Sequence, residues 1–262
     1  MTNKRMEPAL HKDWVNPHSF EWYAQLAELT ERYHYSWDST ISEPNGESAF
    51  TQEAAMMVPE QTVLDIGCGH GDYAKQWSPV ASRMVGVDVT EGYIRKANQN
   101  CLPNTAFVLA NTKDRLPFDD GEFDCAYNRR GPTSSYLDLK RVLRKGGRLL
   151  ALHPGDRSGE ELSEWLPGLY GRNSEGTPIL DHFKKRLEHS GCHELEIESI
   201  RAIEYLHKPV DVIHMCCFGQ QPAVIKWAAT EWLDEIASVF EQYGTNQGLP
   251  ITHNRYLVRA IF

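Results

Sequence analysis

Between residues 61 and 154 five short apolar runs, TVLDIG, RMVGVDV, TAFVLAN, FDCAYN and RLLALHP, alternate with stretches of helical pattern. Runs this short and this apolar suit strands buried on both faces, and helical crossovers between them call for a parallel sheet covered by helices on either side. The crossover helices are expected at about 71–77, 91–100 and 133–144, the last closed by Lys145-Gly146-Gly147. Beyond Pro154 the sequence GDRSGEELSEWLPGLYGRNSEGTP reads as a polar loop, followed by a helix near 178–189 and a strand near 193–205. ITHNRYLVRAIF closes the chain as a further strand, and the segment 207–243 before it reads as an insertion of two helices.

Residues 1–60 have a different character. They are acidic, carry Trp14, Phe20, Trp22, Tyr23, Tyr33, Tyr35 and Trp37, and show no strand-like alternation. Helices are expected at about 18–31 and 46–58, the second after the Asn45-Gly46 turn, with the aromatic loop YHYSWDSTISEPNG between them. The organisation is therefore a helical cap over 1–60 and an α/β domain over 61–262. At 262 residues and 41% hydrophobic content the chain can bury a full core. Its net charge of -9 argues against coating nucleic acid in bulk.

No run reaches the length of a membrane helix, and MTNKRMEPALHKDW has no apolar core of a signal peptide, so a cytoplasmic location is expected. The six cysteines contain no Cys-x-x-Cys pair, which favours reduced core thiols over disulfides or a zinc site, and no metal is expected.

The segment VLDIGCGHGDYA carries the chemistry. Asp65, Gly67, Gly69 and Gly71 stand at alternate positions directly after an apolar strand. A dinucleotide-binding turn needs glycine at 67, 69 and 72, but position 72 is aspartate, so the pyrophosphate cradle loses its third glycine. The spacing instead gives a loop without side-chain bulk, along which a ligand can lie against the backbone. Asp65 can accept a hydrogen bond from a cationic amine. Asp88 closes the next strand. Its distance from Gly67 suits an acid that takes the two hydroxyls of a ribose, with Val89 beside it to pack on a base. The structural alternatives are a plain strand-to-helix turn and, for Asp88, a helix N-cap.

Taken together, VLDIGCGHG, VGVD, LPFDDGEFDCAYN and LKRVLRKGGRLLALHP, in that order over residues 61–154, resemble the class I S-adenosylmethionine-dependent methyltransferase family, its small-molecule and uncharacterised bacterial members in particular. The resemblance implies a Rossmann-like seven-stranded sheet in the order 3-2-1-4-5-7-6, with strand 7 antiparallel, helices on both faces and a helical cap. It implies S-adenosyl-L-methionine as cofactor, held by Asp65, Gly67, Cys68, Gly69, Gly71, Asp88, Val89 and Asn128. Many members place an acid against the adenine amino group in a GDAEDLPF-like run. Here that place is Thr112 in LANTKDRLPF, whose hydroxyl, with backbone groups of Thr112 and Lys113, can serve the ring.

Methyl transfer from a sulfonium is an in-line displacement in which positioning does much of the work, so no fixed catalytic signature is needed. His153, at the end of the fifth strand, is the candidate base, the alternative being a histidine bonded to backbone. Arg129, in Asn128-Arg129-Arg130-Gly131-Pro132, is a candidate for holding an anionic group of the substrate, the alternative being a salt bridge. Tyr35 and Trp37 are candidates for closing over a planar substrate, the alternative being core packing. The leading expectation is methylation of a small organic molecule. Methylation of RNA, suggested by the basic LKRVLRKGGR, and a non-catalytic cofactor-binding regulator are the alternatives. The periodic Leu139, Val142 and Leu143 favour reading that basic run as a sheet-covering helix with a solvated face.

Overall fold

The computed structural model describes residues 6–30, 32–99, 101–171 and 175–262. The expected helix ends at 31 and 100 and the loop residues 172–174 lie outside the described residues, as do residues 1–5 of the expected cap. Two compact units make up the chain. One contains Pro44–Asp156, Gly176–Ile200 and Asn254–Phe262, and the other the described parts of Met1–Glu43, Arg157–Glu175 and Arg201–His253.

The strands are β1 (Ser39–Ile41), β2 (Thr62–Ile66), β3 (Arg83–Asp88), β4 (Thr105–Leu109), β5 (Phe123–Arg129), β6 (Leu143–Pro154), β7 (Glu194–Leu206) and β8 (Leu249–Ile261). They lie in the order β4-β3-β2-β5-β6-β8-β7-β1. Strands β2 to β6 pair in parallel and β8 runs antiparallel to β6. Without β1 this is the expected order 3-2-1-4-5-7-6. The expected count of seven becomes eight because Ser39, Thr40 and Ile41 pair antiparallel with Leu206, Tyr205 and Glu204. A strand this short shows no alternating pattern in sequence.

The helices of the unit beginning at Pro44 are α2 (Gly46–Met57), α3 (Asp72–Trp77), α4 (Glu91–Gln99), α5 (Leu139–Val142) and α7 (Pro178–Glu188). Strand alternation divides its core by face. Leu64, Val85, Ala126, Ala151 and Val258 point to one side, where Leu139, Val142, Phe183 and Leu187 join them. Val63, Met84, Tyr127, Leu152 and Leu257 point to the other, packed with Phe50, Ala54, Ala74 and Ile94. Helix α2, expected in the N-terminal cap, thus packs with the sheet. Its start is fixed locally: the Asn45 side chain accepts from the Glu47 and Ser48 N–H groups at 2.9 and 3.1 Å, and the Asn45 N–H donates to the Ser48 hydroxyl at 3.1 Å.

The helix expected over 133–144 is much shorter. Ser134–Asp138 forms a 3₁₀ turn, the brief α5 follows, and the chain extends from Leu143, which pairs with Phe123. Pairing of Leu143 with Phe123, and of Gly146 and Gly147 with Phe262, takes the place of a last helical turn. Leu139, Val142 and Leu143 are buried as the pattern required.

The second unit contains α1 (Phe20–Thr30), α6 (Glu160–Trp165), α8 (Pro209–Cys216) and α9 (Pro222–Tyr243). Ala228, Trp232, Ile236 and Val239 form a helical stripe on α9 that packs with Val212, Ile213 and Cys217 of the α8 region. Helix α6 lies within the expected polar loop. It forms because Gly159 turns the chain with φ 66° and because Leu162 and Leu166 are buried in the same cluster. Among the described residues no helix is long and apolar enough to cross a membrane.

Candidate cofactor and active site

The glycine loop joins β2 to α3 through three left-handed residues, Gly67, Gly69 and Gly71, at φ 74°, 54° and 82°. The N–H groups of Gly67 and Cys68 both donate to the Val87 carbonyl, at 2.8 and 3.1 Å, which ties the loop to the end of β3. The three glycines differ in surroundings. A methyl group on Gly67 would stand 2.8 Å from Gly131 Cα and Pro132 Cδ, and one on Gly71 would stand 2.7 Å from the Phe107 ring. One on Gly69 would meet nothing within 4 Å. Gly67 and Gly71 therefore serve packing, and Gly69 is where the loop backbone lies open to a ligand.

Asp88 reaches back to that open point. Its Oδ2 accepts from the Gly69 N–H at 2.9 Å while Oδ1 accepts from the Thr90 N–H at 2.8 Å, so the acid also begins α4. Each carboxylate oxygen retains a second lone pair for a hydroxyl donor. Asp88 and Val89 are half-buried side by side at the strand end.

Asp65 is almost fully buried on β2, and the Tyr127 hydroxyl donates to its Oδ2 at 3.0 Å. The parallel register sets Asp65 opposite Tyr127 on β5. Burial raises the Asp65 carboxyl from its ordinary value to about 7, the Tyr127 hydrogen bond pulling it down, Asp88 pushing it up and Arg129 pulling it down more weakly. Cys68, beside it in the loop, is a buried thiol held far above its usual value by burial and by the carboxylates of Asp65 and Asp88.

Asn128 is fully buried and organises the turn after β5. Its Oδ1 accepts from the Gly131 N–H at 2.6 Å and its Nδ2 donates to the Pro132 carbonyl at 3.0 Å. That turn backs directly onto the glycine loop, since a methyl on Gly131 would lie 3.2 Å from Gly67 Cα. Thr112 is buried with its hydroxyl 2.7 Å from that of Ser134, and Lys113 is exposed with its N–H on Asn111 Oδ1.

Arg129 is placed otherwise than as a free anion clamp. Its Nε donates to Glu47 Oε2 at 2.9 Å, and its guanidinium lies 4.7 Å from the Tyr73 ring centroid. Arg130 Nε is 3.3 Å from the other Glu47 oxygen. Burial pushes the Glu47 carboxyl up, but Arg130, Arg129 and Arg255 together hold it below the usual carboxylate range.

His153 is buried, stacked on Phe183 with ring centroids 4.7 Å apart, and its Nε2 lies 2.5 Å from the Tyr136 hydroxyl. Burial lowers it to about 3. The imidazole is therefore neutral at physiological pH. Tyr35 and Trp37 belong to the other unit, where they stack at 4.3 Å, both edge-on to Phe218, and Trp37 Nε1 donates to Glu204 at 2.9 Å.

Three partners escaped sequence reasoning: Tyr127 for Asp65, Glu47 for the two arginines and Tyr136 for His153. Each meets its partner through strand register or helix packing, which leaves no local spacing to detect. FDCAYN does put an aromatic hydroxyl beside Asn128, the one signal available.

Residues 63–151 match the family described as the methyltransferase domain. Among curated relatives, the ubiquinone/menaquinone biosynthesis C-methyltransferase UbiE of Hahella chejuensis is 33% identical over 117 residues, 39% of this chain and 47% of that protein. An uncharacterized 37.1 kDa protein in transposon TN4556 of Streptomyces fradiae is 33% identical over 108 residues, 37% of this chain and 31% of that protein. The chain thus spans between about a third and a half of the length of these relatives. A solved structure of a functionally unknown protein from Deinococcus radiodurans R1 superposes with a TM-score of 0.59 at 23% identity, covering 92% of this chain and 99% of that one, a likeness of fold. With the strand order and the loop described above, these matches show that residues 63–151 are similar to a methyltransferase domain.

Proposed function

We propose that the chain transfers a methyl group from S-adenosyl-L-methionine to a small organic molecule. The observation that carries the reading is the joining of Asp88 to Gly69, an acceptor-rich strand end fixed against the one open glycine of the loop. The donor set fits the cofactor. Asp88 has lone pairs to take the ribose hydroxyls, Val89 would offer an apolar face to the adenine, and Thr112 with the backbone of Lys113 would serve the ring edge. Asp65 supplies a buried carboxyl for the cationic amine, with Gly67, Cys68 and Gly71 shaping the loop and Asn128 supporting it from behind. When bound, the cofactor supplies a methyl group on a sulfonium whose charge disappears as the acceptor attacks.

Several features favour a small acceptor over RNA. The chain is acidic, and four of the seven basic side chains between 129 and 148 are engaged by acids: Arg129 and Arg130 with Glu47, Arg141 with Asp138 and Asp120, and Arg144 with Asp124. The UbiE relatives carry names of small-molecule biosynthesis. Titration calorimetry with S-adenosylhomocysteine tests the reading. Wild type should bind, and Asp88→Ala, losing a charged acceptor for buried hydroxyls, should bind more weakly by about 1.5–3 kcal/mol. Equal affinity in a folded Asp88→Ala protein refutes the ribose assignment.

A further inference from the structure

A cavity of about 330 Å³ opens in the sheet unit, lined by Thr133, His153, Pro178, Ile179, His182 and Phe183. We propose that it binds a small planar molecule through an oxygen that accepts a hydrogen bond, a carbonyl or an ionised phenol or enol, with His153 Nδ1–H as the donor. Taking that molecule as the methyl acceptor rests on the methyl-transfer reading above, whereas the site itself does not.

The Tyr136 hydroxyl is fully buried and is hydrogen-bonded to His153 Nε2, at 2.5 Å. A buried hydroxyl proton left without an acceptor is costly, so the proton goes to Nε2. A histidine that accepts at Nε2 and is neutral carries its proton on Nδ1.

His153 is 3% exposed, and its hydrogen bonding among the described residues is complete with Tyr136, so Nδ1 is left for what enters the cavity. This reverses the role expected from sequence, because a histidine with its proton facing the cavity donates and does not act as base. Burial, which holds the imidazole near 3, keeps it in that single form.

The rest of the wall agrees with a flat ligand. Phe183 stacks on His153, Pro178 and Ile179 add apolar surface, and the volume lies at the small end of ligand sites. The wall is also held in place: Asp156 accepts from the Ile179 N–H at 2.8 Å, the Leu180 N–H at 3.2 Å and the Tyr256 hydroxyl at 2.9 Å, which fixes the start of α7. Arg186 donates to the Thr133 hydroxyl beside the opening.

Nitrogen-15 NMR on the histidine-labelled full chain tests the proposal, with 4-nitrophenolate as probe and 4-nitrotoluene as the analogue lacking the oxygen. The expected result is an Nδ1–H tautomer for His153 at neutral pH, a shift of that proton with 4-nitrophenolate only, and binding weakened about tenfold or more in His153→Phe. An Nε2–H tautomer, or no response of His153 to the phenolate, overturns it. These spectra decide even where the variant does not fold. Calorimetry with S-adenosylhomocysteine on the same sample separates the two readings: cofactor binding without a phenolate response removes this inference alone, and a phenolate response without cofactor binding removes methyl transfer alone.

Discussion

The Gly69 N–H donates to Asp88 Oδ2 at 2.9 Å, so the acid expected to meet the ribose also sets the shape of the loop expected to carry the cofactor. A carboxylate in this place does two things with separate lone pairs. It holds a left-handed residue in position and keeps acceptor capacity directed at the same open point. Loop and acid, read in sequence as two motifs, are one device in the fold.

The three loop glycines should respond differently to alanine. Gly69→Ala places its methyl in open space, at a left-handed φ of 54°. The backbone penalty alone should then cost about 1–2 kcal/mol of stability. The methyl should nevertheless obstruct S-adenosylhomocysteine by tenfold or more, equivalent to about 1.4 kcal/mol of binding. Gly71→Ala adds a clash with Phe107 to a similar backbone penalty. It should cost about 3 kcal/mol of stability. Denaturant unfolding and calorimetry on both variants check the contrast, which disappears if Gly69→Ala binds like wild type.

Cofactor affinity should rise with pH up to about 7 and then level off. A cationic amine requires ionised Asp65, whose carboxyl burial raises to about 7, so well below that value protonation should cost affinity about tenfold per pH unit. The groups that bear on it are Tyr127, Asp88 and Arg129. Tyr127→Phe removes the donor that favours the carboxylate and should move the midpoint upward, while Asp65→Asn should flatten the profile. A pH-independent wild-type affinity would sink the amine assignment.

Stability against pH offers a check that needs no ligand. His153 is lowered from 6.5 to about 3, so the unfolded chain binds the extra proton and His153 makes stability rise with pH until about 6.5. Asp65 is raised from 3.8 to about 7, so the folded chain binds the extra proton and Asp65 makes stability fall with pH until about 7. The two slopes oppose each other. From about pH 5 to about 6.5, His153→Phe should therefore lose stability as pH rises relative to wild type, and Asp65→Asn should gain it, each by about 1.4 kcal/mol per pH unit. Chemical denaturation at three pH values measures both signs.

Glu47→Gln leaves Arg129 and Arg130 half-buried beside each other without their shared counter-charge. The change should destabilise the sheet unit by about 2 kcal/mol, below the range for a fully buried pair because both guanidinium groups keep some contact with solvent. Double variants with Arg129→Met should recover part of the loss. A purely additive double variant would show that the pair contributes nothing.

Much of this molecule is determined locally. The apolar runs at 62–66, 83–88 and 105–109 and the glycine spacing after the first of them identify the parallel sheet and the candidate cofactor loop, because strand burial and backbone freedom are properties of short segments. The capping box at Asn45 is equally local. The partners of the chemical groups are another matter. Asp65 meets Tyr127 through the β2–β5 register, Arg129 meets Glu47 through the packing of α2, and His153 meets Tyr136 across the turn that Asn128 holds. Those meetings decide the charge of Asp65, the engagement of Arg129 and the side of His153 that carries its proton. They depend on desolvation and on distances between segments far apart in the chain, and these exist only once the strands have paired and the helices have closed over them.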